Sequence, residues 1–281
     1  MIVCRSQAEL KTLREANALV GRVLDALRQA VAPGVTTAEL DALAEKEVRA
    51  AGAVPAFKGY RGYPATICAS VNEQVVHGIP SARALCEGDI ISIDLGALLA
   101  GFYGDSAVTV PVGTVSDKAA GLLRVTEEAL WKGIGVVRPG ARESDIGHAV
   151  QTHVEAAGFS VVREFVGHGI GSDLHEEPQI PNYGEPGRGP RLTEGMVLAI
   201  EPMVNVGSPA VKVLHDGWTA VTKDGSLSAH FEHTVAVTAD GADVLTLRDD
   251  VERGHGRNSG AWTRDSTRKE TDSRLPTPDS R

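Results

Sequence analysis

The sequence predicts an internally duplicated α+β domain, with helices gathered on one side and strands on the other. Two observations predict it. "VAPGVTTAELDALAEKEVRAAGA" (31–53) and "VRPGARESDIGHAVQTHVEAAGF" (137–159) align without a gap at an offset of 106 residues, with seven identities and Leu40 facing Ile146. Each copy also follows another stretch of helical apolar spacing and is itself followed by short runs of β character. Pro-Gly before a helix and Gly after it are common punctuation. The identities at Val and Ala-Ala within the helical part favour duplication over chance.

Taken in order, residues 7–30 have the apolar spacing of a helix. Pro33-Gly34 make a turn, Thr36 and Glu39 have capping-box spacing, and Gly52 stops the second helix. Strands are expected at 63–76, 89–95 and 107–112. The second half repeats the scheme, with a helix at 116–136, the second copy of the repeat, and strands at 160–166, 196–204, 211–222 and 230–247. A cleft between the halves is the natural place for a site. From residue 249 the composition changes to "DDVERGHGRNSGAWTRDSTRKETDSRLPTPDSR", with seven acidic and seven basic residues. Such a stretch buries too little apolar surface to offset its ordering entropy. The expected organisation is a domain over 1–248 and a disordered polar tail over 249–281.

Composition narrows the function classes. Hydrophobic residues make up 42% and charged residues 23%, the balance of an ordinary soluble protein. The formal net charge of −9 gives no electrostatic reason to expect nucleic acid or an anionic membrane as partner. No run approaches the ~20 apolar residues of a membrane span, and "MIVCRSQAEL" lacks the apolar core of a signal peptide. Cys4, Cys68 and Cys86 are odd in number and widely spaced, which suits neither a disulfide framework nor a zinc ribbon. A cytoplasmic location is expected.

The stretch "SIDLGALLAGFYGDSAVTV" (92–110) poses a physical problem, because Asp94 and Asp105 stand among residues that ask for a dry interior. Burying an ionised carboxylate costs several kcal/mol unless something compensates it. Glu201 in "MVLAIEPMV" and Glu232 before "HTVAVT" repeat the pattern, and His168 lies in "FVGHGIG". Singly, a carboxylate in a strand is more often a cap, an edge residue or half of an ion pair, and a single histidine is more often structural. Together they point to cations, since Lys and Arg are absent from 84–117. Oxygen-rich ligation with one imidazole suits divalent Mn, Fe, Co or Zn rather than a thiolate zinc site. Four carboxylates are too many for one small ion. Two ions would use the charge and favour hydrolysis, lowering the pKa of a shared water toward about 7.

These residues, in their local phrases, resemble the bacterial-type (type I) methionine aminopeptidases of the pita-bread metallopeptidase family. The phrases are "GYRGYPATICASVNEQVVHGIP" (59–80), "GDIISIDLGALLAGFYGDSA", "VGHGIGSDLHEEPQIPNYG" (166–184), "GMVLAIEPMV" and "DGWTAVTKDGSLSAHFEHTVAVT" (216–238). The resemblance covers about residues 6–248 and implies a pseudo-two-fold α+β fold, with a curved antiparallel sheet and helices on its outer face. It implies Asp94, Asp105, His168, Glu201 and Glu232 as ligands of two divalent metal ions, Asp105 and Glu232 bridging. It implies His77 and His175 as catalytic residues, Glu201 as proton acceptor, and a methionine pocket at Tyr60, Tyr63, Cys68 and Trp218. Phe57 stands where a Cys is frequent and Leu174 where an aromatic is frequent, so the pocket's shape departs from a common bacterial pattern.

The implied activity is removal of the N-terminal methionine when the second residue is small, by metal-assisted hydrolysis of the first peptide bond. The implied partners are nascent polypeptides, with a transient ribosome association left open and a monomer as the default state. Two other readings remain at this point. Xaa-Pro aminopeptidases and prolidases share the catalytic domain but carry an additional N-terminal domain, and only 93 residues precede Asp94 here. A non-catalytic peptide-binding protein on the same fold would be expected to have lost ligands, and all five are present.

Overall fold

In the computed structural model residues 1–247 are described, and the tail expected from residue 249 lies outside them. The first half opens with α1 (Gln7–Ala30) and α2 (Thr37–Ala50). Ser6 and Thr36 cap them, each accepting the amide of a Glu three residues on while that Glu reaches back. The strands β1 (Val54–Pro55), β2 (Ile67–Val71), β3 (Gln74–Val76), β4 (Ile90–Leu99) and β5 (Phe102–Pro111) follow. The second half opens with α3 (Asp117–Gly135) and α4 (Glu143–Ala156). Its strands are β6 (Ser160–Val161), β7 (Gly167–Gly169), β8 (Glu176–Ile180), β9 (Val197–Ile200), β10 (Met203–Asn205), β11 (Val211–Val213), β12 (Ala220–Thr222), β13 (Ser228–His230), β14 (His233–Thr238) and β15 (Gly241–Val244). The predicted order of two helices and then strands therefore recurs in both halves.

Among the described residues all strand pairs are antiparallel, distributed over four hydrogen-bonded sheets. The largest runs β15-β14-β9-β7-β8, and a second contains β1, β2, β4 and β5. Packed between helices and strands is one extended core, including Leu24, Leu27, Leu40, Ile91, Ile93, Leu122, Leu130, Ile146 and Leu198. Leu40 and Ile146, equivalent in the repeat, both enter it. Each such fully buried side chain contributes about 1.5–3 kcal/mol relative to leaving it exposed.

The strands differ from their predicted extents where tertiary pairing overrides local pattern. The spans 89–95 and 107–112 are the visible ends of a longer hairpin, with β4 and β5 joined by the turn at Ala100-Gly101. Gly96 and Gly104 hid the intervening part, because glycine weakens strand character. The predicted strand 63–76 begins only at Ile67, and 160–166 shrinks to Ser160–Val161. The run 211–222 is broken by a turn at 214–218. β7 and β8, rich in Gly, His, Glu and Pro, form through pairing with each other, β7 also pairing with β9.

Two features tie the fold to the site. Gly104 lets β5 lie directly on α1, since a Cβ there would come 2.9 Å from the Ala16 and Asn17 backbone. The N-terminal arm is fastened through Arg5, whose amide donates to the Gly195 carbonyl at 2.7 Å and whose guanidinium pairs with Glu176. Their side chains are 6% and 11% exposed, which makes this a buried ion pair next to His175.

Candidate active site

Register brings the first two acids together. In the β4–β5 hairpin Asp94 faces Ala107 and Gly96 faces Asp105, so Asp94 and Asp105 project from the same face as diagonal neighbours. Cys68 on β2 lies directly opposite Asp94 and shares that face. In the second half, His233 pairs with Ile200, and carrying this register one residue further sets Glu201 opposite Glu232. The two halves are joined at the site. The Glu232 amide donates to the Ala107 carbonyl at 2.9 Å, Ser106 Oγ donates to the Glu232 carbonyl at 2.6 Å, and Thr234 Oγ1 donates to the Asp105 carbonyl at 2.7 Å.

His168 sits in the middle of β7. Its Nδ1 lies 2.9 Å from the Gly169 carbonyl, which can only accept, so Nδ1 carries the hydrogen and Nε2 presents a lone pair. Nε2 is 3.6 Å from Glu201 Oε1. Asp105, His168 and Glu232 each offer one ligand atom within 4.8 Å of the others. A divalent cation suits this donor set. Asp94 Oδ1 and Asp105 Oδ1 are buried without a hydrogen-bond partner, the costly state that a bound cation would relieve.

Without an ion, burial governs the charges. It raises the Asp94 carboxyl to about 7, with the Glu201 charge adding to the effect and His230 opposing it. Burial lifts Glu201 to about 8. Asp105 is pushed well above the usual carboxylate range by burial, then by Asp94 and Glu201. The histidines move the other way. Burial lowers His168 to about 3, helped by His175, and His77 to about 4, helped by His230 and His175. His175 is lowered by burial and then by the charge of Arg61. All are therefore neutral at pH 7 and able to act as ligands or hydrogen-bond donors.

A cavity of about 180 Å³ is lined by every residue singled out in the sequence, together with Arg61. His77 stands at its edge with φ of 61°, its ring edge-on to Phe165 at 5.5 Å and to Trp218 at 6.3 Å. The following Gly78 is required, since a Cβ there would come 2.4 Å from the Ala69 carbonyl. His175 Nδ1 meets the Tyr60 hydroxyl at 2.9 Å, and its ring lies 4.4 Å from that of His168. Tyr63, fixed by its hydroxyl's approach to the Ile67 and Gly78 carbonyls, meets Trp218 edge-on at 5.1 Å. Buried Cys68, its thiol pushed up by burial and by Asp94, continues the apolar wall with Leu174. Phe57 packs its ring over Gly96, where a Cβ would come 2.6 Å from it.

Two residues here escaped the reading of the sequence. Among the described residues Arg61 is the single Lys or Arg on the cavity wall, with its guanidinium 5.3 Å from the Tyr60 ring centre. His230 lies behind Glu201, its Nε2 3.6 Å from Oε2. A signal for His230 exists: in "SAHFEHT" it stands two residues before Glu232, the spacing that returns a side chain to the same face of an extended chain.

Comparison with known proteins agrees with this geometry. The model of metallopeptidase family M24 matches residues 11–239. Methionine aminopeptidase 1 of Bacillus subtilis (strain 168) is 57% identical over 246 residues, covering 88% of this chain and 99% of that protein. The crystal structure of methionine aminopeptidase from Rickettsia prowazekii superposes with a TM-score of 0.87 at 44% identity, covering 88% of this chain and all of that one. That of Thermotoga maritima gives 0.86 at 48% identity, covering 88% and 99%. By the extent of these matches, the chain belongs to metallopeptidase family M24 and, within it, to the methionine aminopeptidases.

Proposed function

We propose that this protein removes the N-terminal methionine from nascent proteins and peptides whose second residue is small. The observation that supports this most directly is the single cavity in which a buried carboxylate–imidazole cluster meets an apolar wall. Asp94, Asp105, His168, Glu201 and Glu232 would hold two divalent ions, Co, Mn, Fe or Zn, with Asp105 and Glu232 shared between them. Bound there, the ions supply Lewis-acid chemistry, polarising the scissile carbonyl and lowering the pKa of water.

The remaining work falls to the chain. The acidic floor receives the free α-amine of a substrate, which restricts cleavage to the terminal residue. Tyr63, Cys68, Trp218, Phe57 and Leu174 offer an apolar and aromatic surface of the kind a thioether packs against, and Tyr60 stands beside them. We assign the Tyr60 hydroxyl as the donor to His175 Nδ1, an assignment that leaves the hydrogen of this neutral imidazole on Nε2. That N–H can stabilise negative charge developing on the substrate carbonyl oxygen. His77, also neutral at pH 7, orients the scissile amide from the other side. Glu201 accepts the proton of the attacking water as general base.

On this reading the protein works in the cytoplasm, where nascent chains are met. Among the described residues no helix is long and apolar enough to cross a membrane. We take residues 1–248 as the catalytic domain and the monomer as the working unit. The relatives do not favour the Xaa-Pro reading. The test is to strip the protein with chelator, restore Co or Mn, and supply Met-Ala-Ser beside Ala-Pro. Free methionine released only with metal is the expected result. Cleavage of Ala-Pro alone would overturn the proposal.

A further inference from the structure

His230 ends β13 and is 2% exposed. Its backbone is held from both sides by Thr109 on β5, whose hydroxyl donates to the His230 carbonyl at 2.8 Å and accepts its amide at 2.9 Å. Thr109 in turn meets Ser92 Oγ on β4 at 2.9 Å. The imidazole is thus delivered on a fixed stretch of chain across the junction of the two halves. Its Nε2 is nonetheless without a hydrogen-bond partner, an uncommon state for a buried polar atom.

What that nitrogen faces is Glu201. The carboxylate is bracketed by two imidazoles, with Oε1 3.6 Å from His168 Nε2 and Oε2 3.6 Å from His230 Nε2. Both separations are too long for hydrogen bonds. They differ in kind, however. His168 has its hydrogen on Nδ1, so on that side its lone pair faces a carboxyl oxygen, and a metal ion or a proton must lie between them. On the other side nothing commits His230 Nε2 to be an acceptor, and a hydrogen there points at the carboxylate. His230 also stands outside the converging trio of Asp105, His168 and Glu232.

We propose that His230 is a positioning residue for the metal centre: when the centre is filled, its Nε2–H closes the present 3.6 Å gap to donate to Glu201 Oε2, which turns Oε1 toward an ion held with His168. This rests on reading the cluster as a metal site. Carboxylate ligands held by an outer hydrogen bond bind metal more tightly than free ones, commonly by one to two orders of magnitude. A neutral donor is sufficient, so an amide side chain can replace the imidazole.

The experiment is calorimetric titration of chelator-stripped protein with Mn or Co, which reads affinity and stoichiometry independently of turnover. His230→Leu is expected to bind about 10- to 100-fold more weakly than the unaltered protein, and His230→Gln to stay within about threefold of it. Wild-type affinity in His230→Leu overturns the proposal. Equal weakness in His230→Gln and His230→Leu also overturns it, because the nitrogen would then be a ligand itself. Should His230→Leu fail to fold, His230→Ala carries the same expectation. Absence of Mn and Co binding by the unaltered protein overturns the metal reading, and this role with it.

Discussion

Asp94 and Asp105 are eleven positions apart in the sequence and neighbours in space because a two-residue turn folds one strand back on the other. The carboxylates were legible because an acid inside an apolar run conflicts with its surroundings, and such conflicts tend to mark functional sites. His230 conflicts with nothing nearby in the chain; its two-residue spacing from Glu232 is the one local signal, and its position behind Glu201 depends on strand pairing. Arg61 was hidden for another reason, since an arginine beside Gly and Tyr in a loop reads as ordinary surface. At this scale His175 separates catalysis from metal binding. His175→Ala should lower kcat/KM by about 100-fold or more while leaving metal affinity unchanged, as steady-state kinetics and calorimetry would show. Unchanged turnover would remove His175 from the mechanism.

At the scale of elements, the helices were read almost to the residue. Caps and apolar period are local, and α1 and α2 carry both. Strands fared worse in proportion to their dependence on partners, with β7 and β8 passing unnoticed among glycines and charged residues. The loop between them ends in His175, and the Arg5–Glu176 pair clamps it where β8 begins. Removing one member of a buried pair leaves the other charge uncompensated. Arg5→Ala should therefore destabilise the protein by about 3–5 kcal/mol, measured by urea unfolding. A change below about 0.5 kcal/mol, the range of ordinary surface substitutions, would show that the pair contributes nothing to the fold.

In the molecule as a whole, the duplicated halves meet at the acids, and the site's unusual proton affinities become a property of global stability. In the metal-free protein Asp94 near 7 and Glu201 near 8 lie above ordinary carboxyl values, whereas His77 near 4 and His168 near 3 lie below the ordinary imidazole value. The raised carboxyls contribute stability that is complete below their unfolded values and lost as pH rises through 7 and 8. The depressed imidazoles contribute stability present above about 6.5 and lost as pH falls through their folded values. The two sets oppose each other between about pH 4 and 6.5, and above that range these carboxyls titrate alone. The melting temperature of the metal-free protein should fall between about pH 6.5 and 8.5, and Mn or Co should offset the fall increasingly as pH rises. A flat profile without metal would mean that the acids are already ionised. The duplication itself could be read from 31–53 and 137–159, but the hydrogen-bonded junction between the halves could not, because it joins β5 to residues more than a hundred positions away.

The left-handed backbone at His77 bears on how that residue can be interrogated. Alanine, the customary replacement, removes the ring and also places a residue poorly suited to positive φ in a turn pinned against β2, so a lost activity would mix two causes. Asparagine adopts this conformation more readily. His77→Asn should melt at a higher temperature than His77→Ala, and it is the cleaner control for the chemistry of the imidazole.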